Sequence, residues 1–343
     1  PLQAESLPAG SISPLGCTPN DPWPSTYIDY GEMKWGDGMI RHGFYLRLLA
    51  TEYALNKKYG LKTEGVLNEL YYALNAINRL DENAESSLDD IYGIPNYYSP
   101  LLNGFYLRED VYEDFCLNWE TDQLNARCTN SAFYHNSNYA KIHDPANGLV
   151  TKPITSHINS PSADQMTSLL LGLSLVNKLV DETFVDPTNS GNGFFIIQET
   201  KDIVDRMVEY VADHNWEIID VNGWPAPNGT DLVGLAYPIL KTAEKVTGNQ
   251  MASYNTIIAR KSGRYHAKIN RIQHCITGYG LEAGPEEQQY HCGSLGNLTV
   301  AASIHDELVG GAIAGPLNNQ SISVFQIWNS SGMQSSAMAT QLI

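Results

Sequence analysis

The stretch from Ser162 to Val180, Ser-Ala-Asp-Gln-Met-Thr-Ser-Leu-Leu-Leu-Gly-Leu-Ser-Leu-Val-Asn-Lys-Leu-Val, carries the strongest structural signal in the chain. Its apolar residues fall on nearly all sides of a helix rather than on one face, which is typical of a helix buried on every side. Ser162, followed three residues later by Gln165, matches the capping box that opens many helices. The sequence therefore predicts a buried helix over 162–180, surrounded by other elements.

The residues before and after this stretch also show mainly helical spacing. Apolar residues from Met39 to Tyr53 recur at helical intervals, and Gly60 stands where that helix should end. Thr63 is placed to cap a second helix. The turn between them is so short that the two helices should form an antiparallel hairpin. Further helices are expected at 202–213, 231–246, 251–261, 266–276, 298–309 and 319–328, and short strands at 149–154, 194–198 and 216–220.

A short internal repeat has two readings. Gly-Phe-Tyr-Leu-Arg occurs at 43–47 and again at 104–108. It is either a coincidence or the trace of a repeated helical unit. Because tight turns alternate with long loops, the pattern favours a ring of helical hairpins with small β-hairpins in its rim loops. We expect an extended leader over 1–34 and a single mostly α-helical domain over 35–343.

The stretch His214–Leu232 fits such a rim loop, because it contains a short strand-like run, two tryptophans, two aspartates and several turn residues between two helical patterns. In this arrangement the chain resembles the (α/α) toroid carbohydrate-active enzymes, glycoside hydrolases and polysaccharide lyases, over about residues 35–310. The resemblance is one of architecture and implies an oligosaccharide or polysaccharide as partner. A non-catalytic glycan-binding protein with helical repeats is the alternative from another class.

The charge balance argues against several partners. The chain has 21 Lys and Arg residues against 38 Asp and Glu, a net charge of −17. Such a surface repels nucleic acid and anionic lipid head groups. No apolar window approaches the length of a membrane-spanning helix. We therefore expect neither nucleic-acid binding nor membrane insertion.

The five cysteines bear on the compartment. Cys116 with Cys128 and Cys275 with Cys292 are near enough in sequence to form local disulfides, and Cys17 is left over. Disulfides form in oxidising compartments. Together with the many tyrosines and asparagines, this pattern favours a secreted or periplasmic protein.

Loops that precede the inner helices of a ring converge on its central cavity, so they are the natural place for a site. Four loops contain acidic, aromatic or basic residues of the right kind. The expected catalytic residues are Asp37, His157, Asp164 and Asp231. The expected substrate-binding residues are Trp35, Arg41, His42, Tyr106, Arg108, Gln165 and Trp224. Each aspartate has an alternative role as a helix cap.

The two enzyme classes need different residues. Glycoside hydrolysis needs a protonated carboxyl and a second carboxylate, which Asp37, Asp164 and Asp231 can supply. A lyase needs an arginine for the uronate carboxylate, such as Arg41 or Arg108, and a base such as His157 or Tyr106. Glu109 and Asp110 are further acids, although solvated charges at a helix start would give the same pattern. Hydrolase is the first expectation and lyase the second.

Metal and cofactor motifs are missing from the sequence. No two histidines have the spacing that places two imidazoles on one helix face, and there is no Walker loop or dinucleotide-binding glycine motif. We expect no cofactor and no catalytic metal, and leave open a structural Ca²⁺ in the loops.

Overall fold

The structure is a computed structural model of the 343-residue chain. It describes residues 4–5, 7–8, 11–12, 33–34, 38–85, 102–112, 142–144, 149–153, 160–181, 183–220, 223–226 and 236–248. The structural statements that follow concern this part of the chain.

The described part is mostly helical, as expected. Its helices are α1 (Gly38–Lys58), α2 (Glu64–Glu82), α3 (Ala163–Leu179), α4 (Ile196–Asp213) and α5 (Ala236–Thr247). The strands are short: β1 (Ala4–Glu5), β2 (Met33–Lys34), β3 (Asp110–Tyr112), β4 (Ile142–Asp144), β5 (Leu149–Pro153), β6 (Phe184–Val185) and β7 (Phe194–Phe195). β1 pairs with β2 in parallel, β5 lies between β3 and β4 in an antiparallel sheet, and β6 pairs antiparallel with β7.

Helices α1 and α3 run parallel and touch. The Ser168 hydroxyl donates a hydrogen bond to the Ile40 carbonyl at 3.0 Å. Thirteen residues further along the chain in each case, Tyr53 of α1 donates to Asp181, two residues after the end of α3, at 3.1 Å. The axes approach closely because a glycine lies at the crossing: a Cβ on Gly43 would stand 2.4 Å from the Ser168 carbonyl oxygen. Both helices therefore begin at the same end of the helix group. We call this end, where α1 begins at Gly38 and α3 begins at Ala163, the shared end.

The other two long helices run the opposite way. The Tyr45 hydroxyl of α1 donates to Glu69 of α2 at 2.9 Å, as the short turn predicts for an antiparallel hairpin. The Tyr71 ring stacks on Phe194, just before α4, and Arg206 in the second half of α4 contacts Asp81 near the end of α2. Helix directions thus alternate along the chain, and α2 and α4 end where α1 and α3 begin.

The prediction that α3 is buried on all sides is confirmed. Every residue from Gln165 to Val176 is buried, and Leu170 and Leu173 have no exposed surface. The α4 helix is amphipathic as expected, with its apolar stripe buried: Ile203, Val204, Met207 and Val211.

Several local predictions are wrong in detail. Thr63 and Ser162 precede their helices, but neither side chain bonds a backbone amide as a cap. The expected strand 216–220 is reduced to a single bridge between Ile219 and Pro225, since Asn215 and Trp216 take positive φ values of 58° and 67°, which no strand accommodates.

Other boundaries shift by a few residues. The expected strand 194–198 ends at Phe195, where α4 begins six residues earlier than predicted. Helix α5 is described from Ala236, and residues 231–235 of the predicted helix lie outside the described residues. Gly248 follows α5 with a φ of 74°, as a helix-ending glycine should. The strand expected at 149–154 is present as β5.

The expected helices after residue 250 and the five cysteines lie outside the described residues. None of the described helices combines the length and apolar character that crossing a membrane demands.

Candidate functional site

Three connecting segments meet at the shared end. The segment 102–110 follows α2, residues 160–162 precede α3, and the loop 214–226 follows α4. Arg108 Nε donates a hydrogen bond to the Ser160 carbonyl, and the Ser160 hydroxyl donates to Asp220 at 3.4 Å. These two bonds join all three segments in one place.

Gly38, the first residue of α1, packs against the same cluster. A Cβ on Gly38 would stand 2.8 Å from the Arg108 carbonyl oxygen and 3.2 Å from Glu109 Oε2. Only a residue without a side chain fits there without displacing its neighbours. The start of α1 is therefore packed against the segment that carries Arg108 and Glu109.

Segment 102–110 is fixed to the end of α2 by a buried carboxylate. Asp81 Oδ1 accepts hydrogen bonds from the backbone amides of Asn103 at 3.0 Å and Gly104 at 2.9 Å. Asp81 Oδ2 accepts from Arg206 Nε of α4 at 3.1 Å. Burial raises the pKa of Asp81 to about 6, while Arg206 and the two amides lower it in part.

A second buried ion pair holds the far end of the segment. Arg79 donates two hydrogen bonds to Asp110, from Nε at 3.0 Å and from Nη2 at 3.1 Å, and both side chains are almost fully buried. The interpretation of these charges as solvated groups at a helix start is wrong. Arg108, Glu109 and Asp110 are all buried, and they follow a non-helical stretch. Asp110 has a structural partner that fixes its position.

Asp164 lies in the first turn of α3 at the shared end and is half-buried. Its Oδ1 accepts hydrogen bonds from the Ser162 hydroxyl and from the Gln165 amide, the latter at 3.0 Å. The expected capping box is thus replaced by a contact between Ser162 and Asp164. Neither contact uses Oδ2, so one oxygen of this carboxylate remains for another group.

Tyr106, in segment 102–110, is almost fully buried, with only 2% of its surface exposed. Burial raises the pKa of the Tyr106 hydroxyl well above its usual range; the negative charge of Asp164 adds to this rise, and Arg108 opposes it. The hydroxyl therefore stays protonated at every physiological pH. It can donate a hydrogen bond but is a poor base.

The loop after α4 carries one buried and one exposed group. The Asp220 amide donates to the Trp224 carbonyl at 2.8 Å, which forms a tight hairpin closed by the Ile219–Pro225 bridge. Asp220 is buried against Ser160, whereas Trp224 is 70% exposed. A flat indole presented to solvent beside polar groups is suited to stacking on a sugar ring.

The structure does not bring every expected residue to this cluster. His42 is fully buried between α1 and α2, where its Nε2 donates to the Ala73 carbonyl at 2.9 Å. Arg41 is exposed on α1 with its guanidinium over the Phe44 ring, and Gln165 is buried in the first turn of α3. Trp35, Asp37, His157 and Asp231 lie outside the described residues.

Sequence reasoning missed the buried polar groups at the end of α2. Arg79, Asp81 and Glu85 were not expected in the site, although Glu85 accepts a 2.6 Å hydrogen bond from Asn103. One signal was present. Asp81 follows Leu74 and Ile77 at intervals of seven and four residues, so it occupies the apolar stripe of α2, where a carboxylate must find a partner.

Two further findings bear on the chemistry. Within the described residues, no three His, Cys, Asp or Glu side chains are grouped so as to hold a metal ion. No family model matches the chain, and no curated protein or solved structure matches it either.

Proposed function

We propose that the chain is an exported carbohydrate-active enzyme, a glycoside hydrolase whose site lies at the shared end of a ring of helical hairpins. The observation that carries this proposal is the meeting of segments 102–110, 160–162 and 214–226 at the N-terminal ends of two parallel helices. The alternating helix directions support the ring. The loops that meet are the ones that precede inner helices in such an architecture.

The groups at this end suit a sugar. Trp224 offers an exposed aromatic face, and Asp164 offers a carboxylate oxygen that no described neighbour uses. Sugars are bound by stacking on their apolar faces together with hydrogen bonds to their hydroxyls. The chain's net charge of −17 favours a neutral glycan over an acidic one.

Hydrolysis requires a second carboxyl group. Asp37 is bonded directly to Gly38, the first residue of α1, and α1 and α3 start side by side. Asp164 and Asp37 are therefore the pair we propose, with Asp231 as the other candidate partner. In an inverting hydrolase one carboxyl protonates the leaving oxygen and the other activates water across a gap of about 6.5–9.5 Å.

The lyase alternative has one feature in its favour, since the positive charge of Arg108 lowers the pKa of Tyr106. The same environment weakens it. A lyase base must release its proton at working pH, and burial raises the pKa of Tyr106 far above that range. His157 would then have to serve as the base.

A polysaccharide panel separates the three readings. New reducing ends without unsaturated uronate indicate hydrolysis, and new ends that absorb as unsaturated uronates indicate a lyase. Binding without cleavage indicates a glycan-binding protein. Absence of binding and cleavage across neutral and acidic glycans would contradict the proposal.

The variant Asp164→Asn tests the catalytic assignment. Asparagine keeps an oxygen that accepts the two hydrogen bonds made to Asp164 Oδ1, so the melting temperature should stay unchanged. It cannot exchange a proton at neutral pH, so kcat should fall roughly 10²-fold or more. Glu64→Gln is the matched control, because Glu64 is an exposed acid in the first turn of α2 at the opposite end. Full activity in Asp164→Asn, Asp37→Asn and Asp231→Asn would exclude these aspartates as catalysts.

A further inference from the structure

Two asparagine–glycine dipeptides lie wholly within the described residues, at 103–104 and at 192–193. Such dipeptides are the most prone to deamidation, because glycine has no side chain to hinder attack of its backbone nitrogen on the asparagine side chain. The reaction forms a cyclic imide, so the glycine nitrogen must be able to reach the side-chain carbonyl carbon. The contacts of each dipeptide therefore decide whether it reacts in the folded protein.

Asn103 and Gly104 are held by carboxylates at the end of α2. The Gly104 amide, whose nitrogen would have to attack, donates a hydrogen bond to Asp81 Oδ1 at 2.9 Å. The Asn103 side-chain amide donates to Glu85 at 2.6 Å, and its side-chain oxygen accepts from the Phe105 amide at 2.9 Å. Reaction at this dipeptide requires these bonds to break together, so it must wait for local unfolding.

Asn192 and Gly193 lie between β6 and β7, and Asn192 is exposed. The Asn192 backbone amide donates to the Ser190 hydroxyl at 3.3 Å, but within the described part of the chain no group bonds its side chain or the Gly193 amide. The β6–β7 pairing explains the unbonded amide. Ile196 donates to the Thr183 carbonyl, and bonded positions alternate along an antiparallel strand, so Gly193, three residues earlier, faces away from β6.

The chain on both sides of this dipeptide is fixed, so it has no room for an added backbone atom. On one side, the Gly191 amide donates to Asp186 Oδ2 at 2.6 Å. On the other side, a Cβ on Gly193 would stand 2.0 Å from the Val185 carbonyl oxygen. An extra methylene between Asn192 and Gly193 must therefore disturb either the loop around Asp186 or the pairing of β6 with β7.

We propose that Asn192 is a deamidation site of the folded protein, at which conversion to isoaspartate loosens the β6–β7 hairpin. The Gly193 nitrogen loses its proton and attacks Asn192 Cγ. The bond from Cγ to the side-chain nitrogen then breaks, and ammonia leaves with a proton that replaces the one lost from Gly193.

Water opens the resulting succinimide in one of two ways. Attack of water at Cγ restores the ordinary peptide bond and leaves aspartate. Attack at the main-chain carbonyl carbon leaves isoaspartate, which adds one methylene to the backbone. The β6–β7 hairpin lies between the end of α3 and the start of α4, opposite the shared end, so this inference goes beyond the proposed function and does not depend on it.

The first measurement is peptide mapping of the folded full chain after incubation at mildly alkaline pH, with isoaspartate detected by enzymatic methylation. Asn192 should be converted at least about tenfold faster than Asn103, since reaction at Asn103 must first break two hydrogen bonds to carboxylates. In guanidinium chloride the difference should disappear, because it arises from the fold. Equal rates in the folded chain, or no conversion at Asn192, would overturn the assignment.

The second measurement compares the melting temperature of the purified isoaspartate form with those of two variants. Asn192→Asp has the new charge without the extra methylene and should melt within about 1 °C of the wild type. The isoaspartate form should melt about 2 °C or more lower, which corresponds to the loss of one hydrogen bond to a carboxylate. Asn192→Gln should keep a constant melting temperature during incubation, because its longer side chain cyclises slowly. Equal melting temperatures for the aspartate and isoaspartate forms would contradict the loosening of the hairpin.

Discussion

The sequence Gly-Phe-Tyr-Leu-Arg occurs twice and takes two structures. At 43–47 it is part of α1, whereas at 104–108 it is an irregular segment that begins with Gly104 at a φ of 89°. The two copies still share functions within the fold. Gly43 packs against the backbone of Ser168, and Gly104 packs against the backbone of Arg206. Arg47 is buried against Ser168 in α3, and Arg108 is buried against Ser160 just before α3.

The difference shows which information fixes a segment's structure. The copy at 43–47 lies within an apolar pattern that continues from Met39 to Tyr53, so helix formation buries a whole face. The copy at 104–108 has no such continuation. Asp81 binds the amide of its first residue, Gly104, and that of the preceding Asn103, in a conformation that glycine tolerates best. Tertiary partners therefore decide the conformation of the second copy, and periodicity decides that of the first.

The largest expected effect is that of Gly104→Ala. The new Cβ would lie 2.2 Å from the Arg206 carbonyl oxygen, and the positive φ is strained for alanine. Together these should cost about 5 kcal/mol of unfolding free energy, measured in urea. Gly60→Ala is the control, with a φ of 67° but no atom nearby, and should cost about 1 to 2 kcal/mol. Equal losses in the two variants would show that the positive φ causes the loss and that contact with Arg206 adds nothing.

The next effect comes from the ion pair that anchors the non-helical copy. Asp110→Asn leaves the buried Arg79 guanidinium without its opposite charge, and the expected loss is about 4 kcal/mol. Segment 102–109 should also become more susceptible to proteolysis. Asp181→Asn removes an exposed ion pair with Lys57 and should give no measurable change. A small loss in Asp110→Asn would mean that the segment is held mainly by Asp81.

For the helical copy, Gly43→Ala tests the crossing of α1 and α3. Its Cβ would stand 2.4 Å from the Ser168 carbonyl oxygen, so the helices must move apart, at a cost of about 3 kcal/mol in urea unfolding. Gly65→Ala in α2 meets no atom within 4 Å and should be neutral or stabilising by up to about 1 kcal/mol. A stabilising Gly43→Ala would contradict the close crossing.

The smallest effect is a pH dependence caused by His42, next to the helical copy. Burial lowers the pKa of His42 to about 4, whereas the unfolded chain protonates it near pH 6.5. Its contribution to stability is therefore complete above pH 6.5 and is lost as the pH falls towards 4. At pH 5 the loss should be about 2 kcal/mol.

His42→Gln provides the comparison, because glutamine can still donate to the Ala73 carbonyl. Between pH 7.5 and pH 5, the wild type should lose about 2 kcal/mol more stability than this variant. The raised pKa of Asp81 has the opposite pH dependence but is common to both proteins, so it cancels in the difference. Parallel pH profiles would show that the pKa of His42 is the same in the folded and unfolded states.

Much of the fold could be predicted because helical burial follows from periodic spacing. Helices α1 to α3 begin within two residues of their predicted starts, and α3 also ends within one residue of its predicted end. The start of α4 was missed because Ile196 and Ile197 suit a strand as well as a helix. The caps were missed because a serine at the right position had a nearer acceptor in Asp164.

The site was predictable only in outline. That loops before α3 and after α4 would meet follows from the hairpin arrangement, and Asp164 is a candidate that the sequence alone provides. The burial of Arg108 and the bonds of Asp110 depend on residues far away in sequence, such as Ser160 and Arg79. No local pattern encodes those distances.

The glycine contact between α1 and α3 has a consequence for motion. Backbones that meet without intervening side chains, and are also joined by Ser168 to the Ile40 carbonyl, resist sliding past each other. We expect the two helices to move as one rigid unit. In the glycoside hydrolase that we propose, an opening that admits a long glycan would then require movement of the connecting segments and not sliding of α1 past α3.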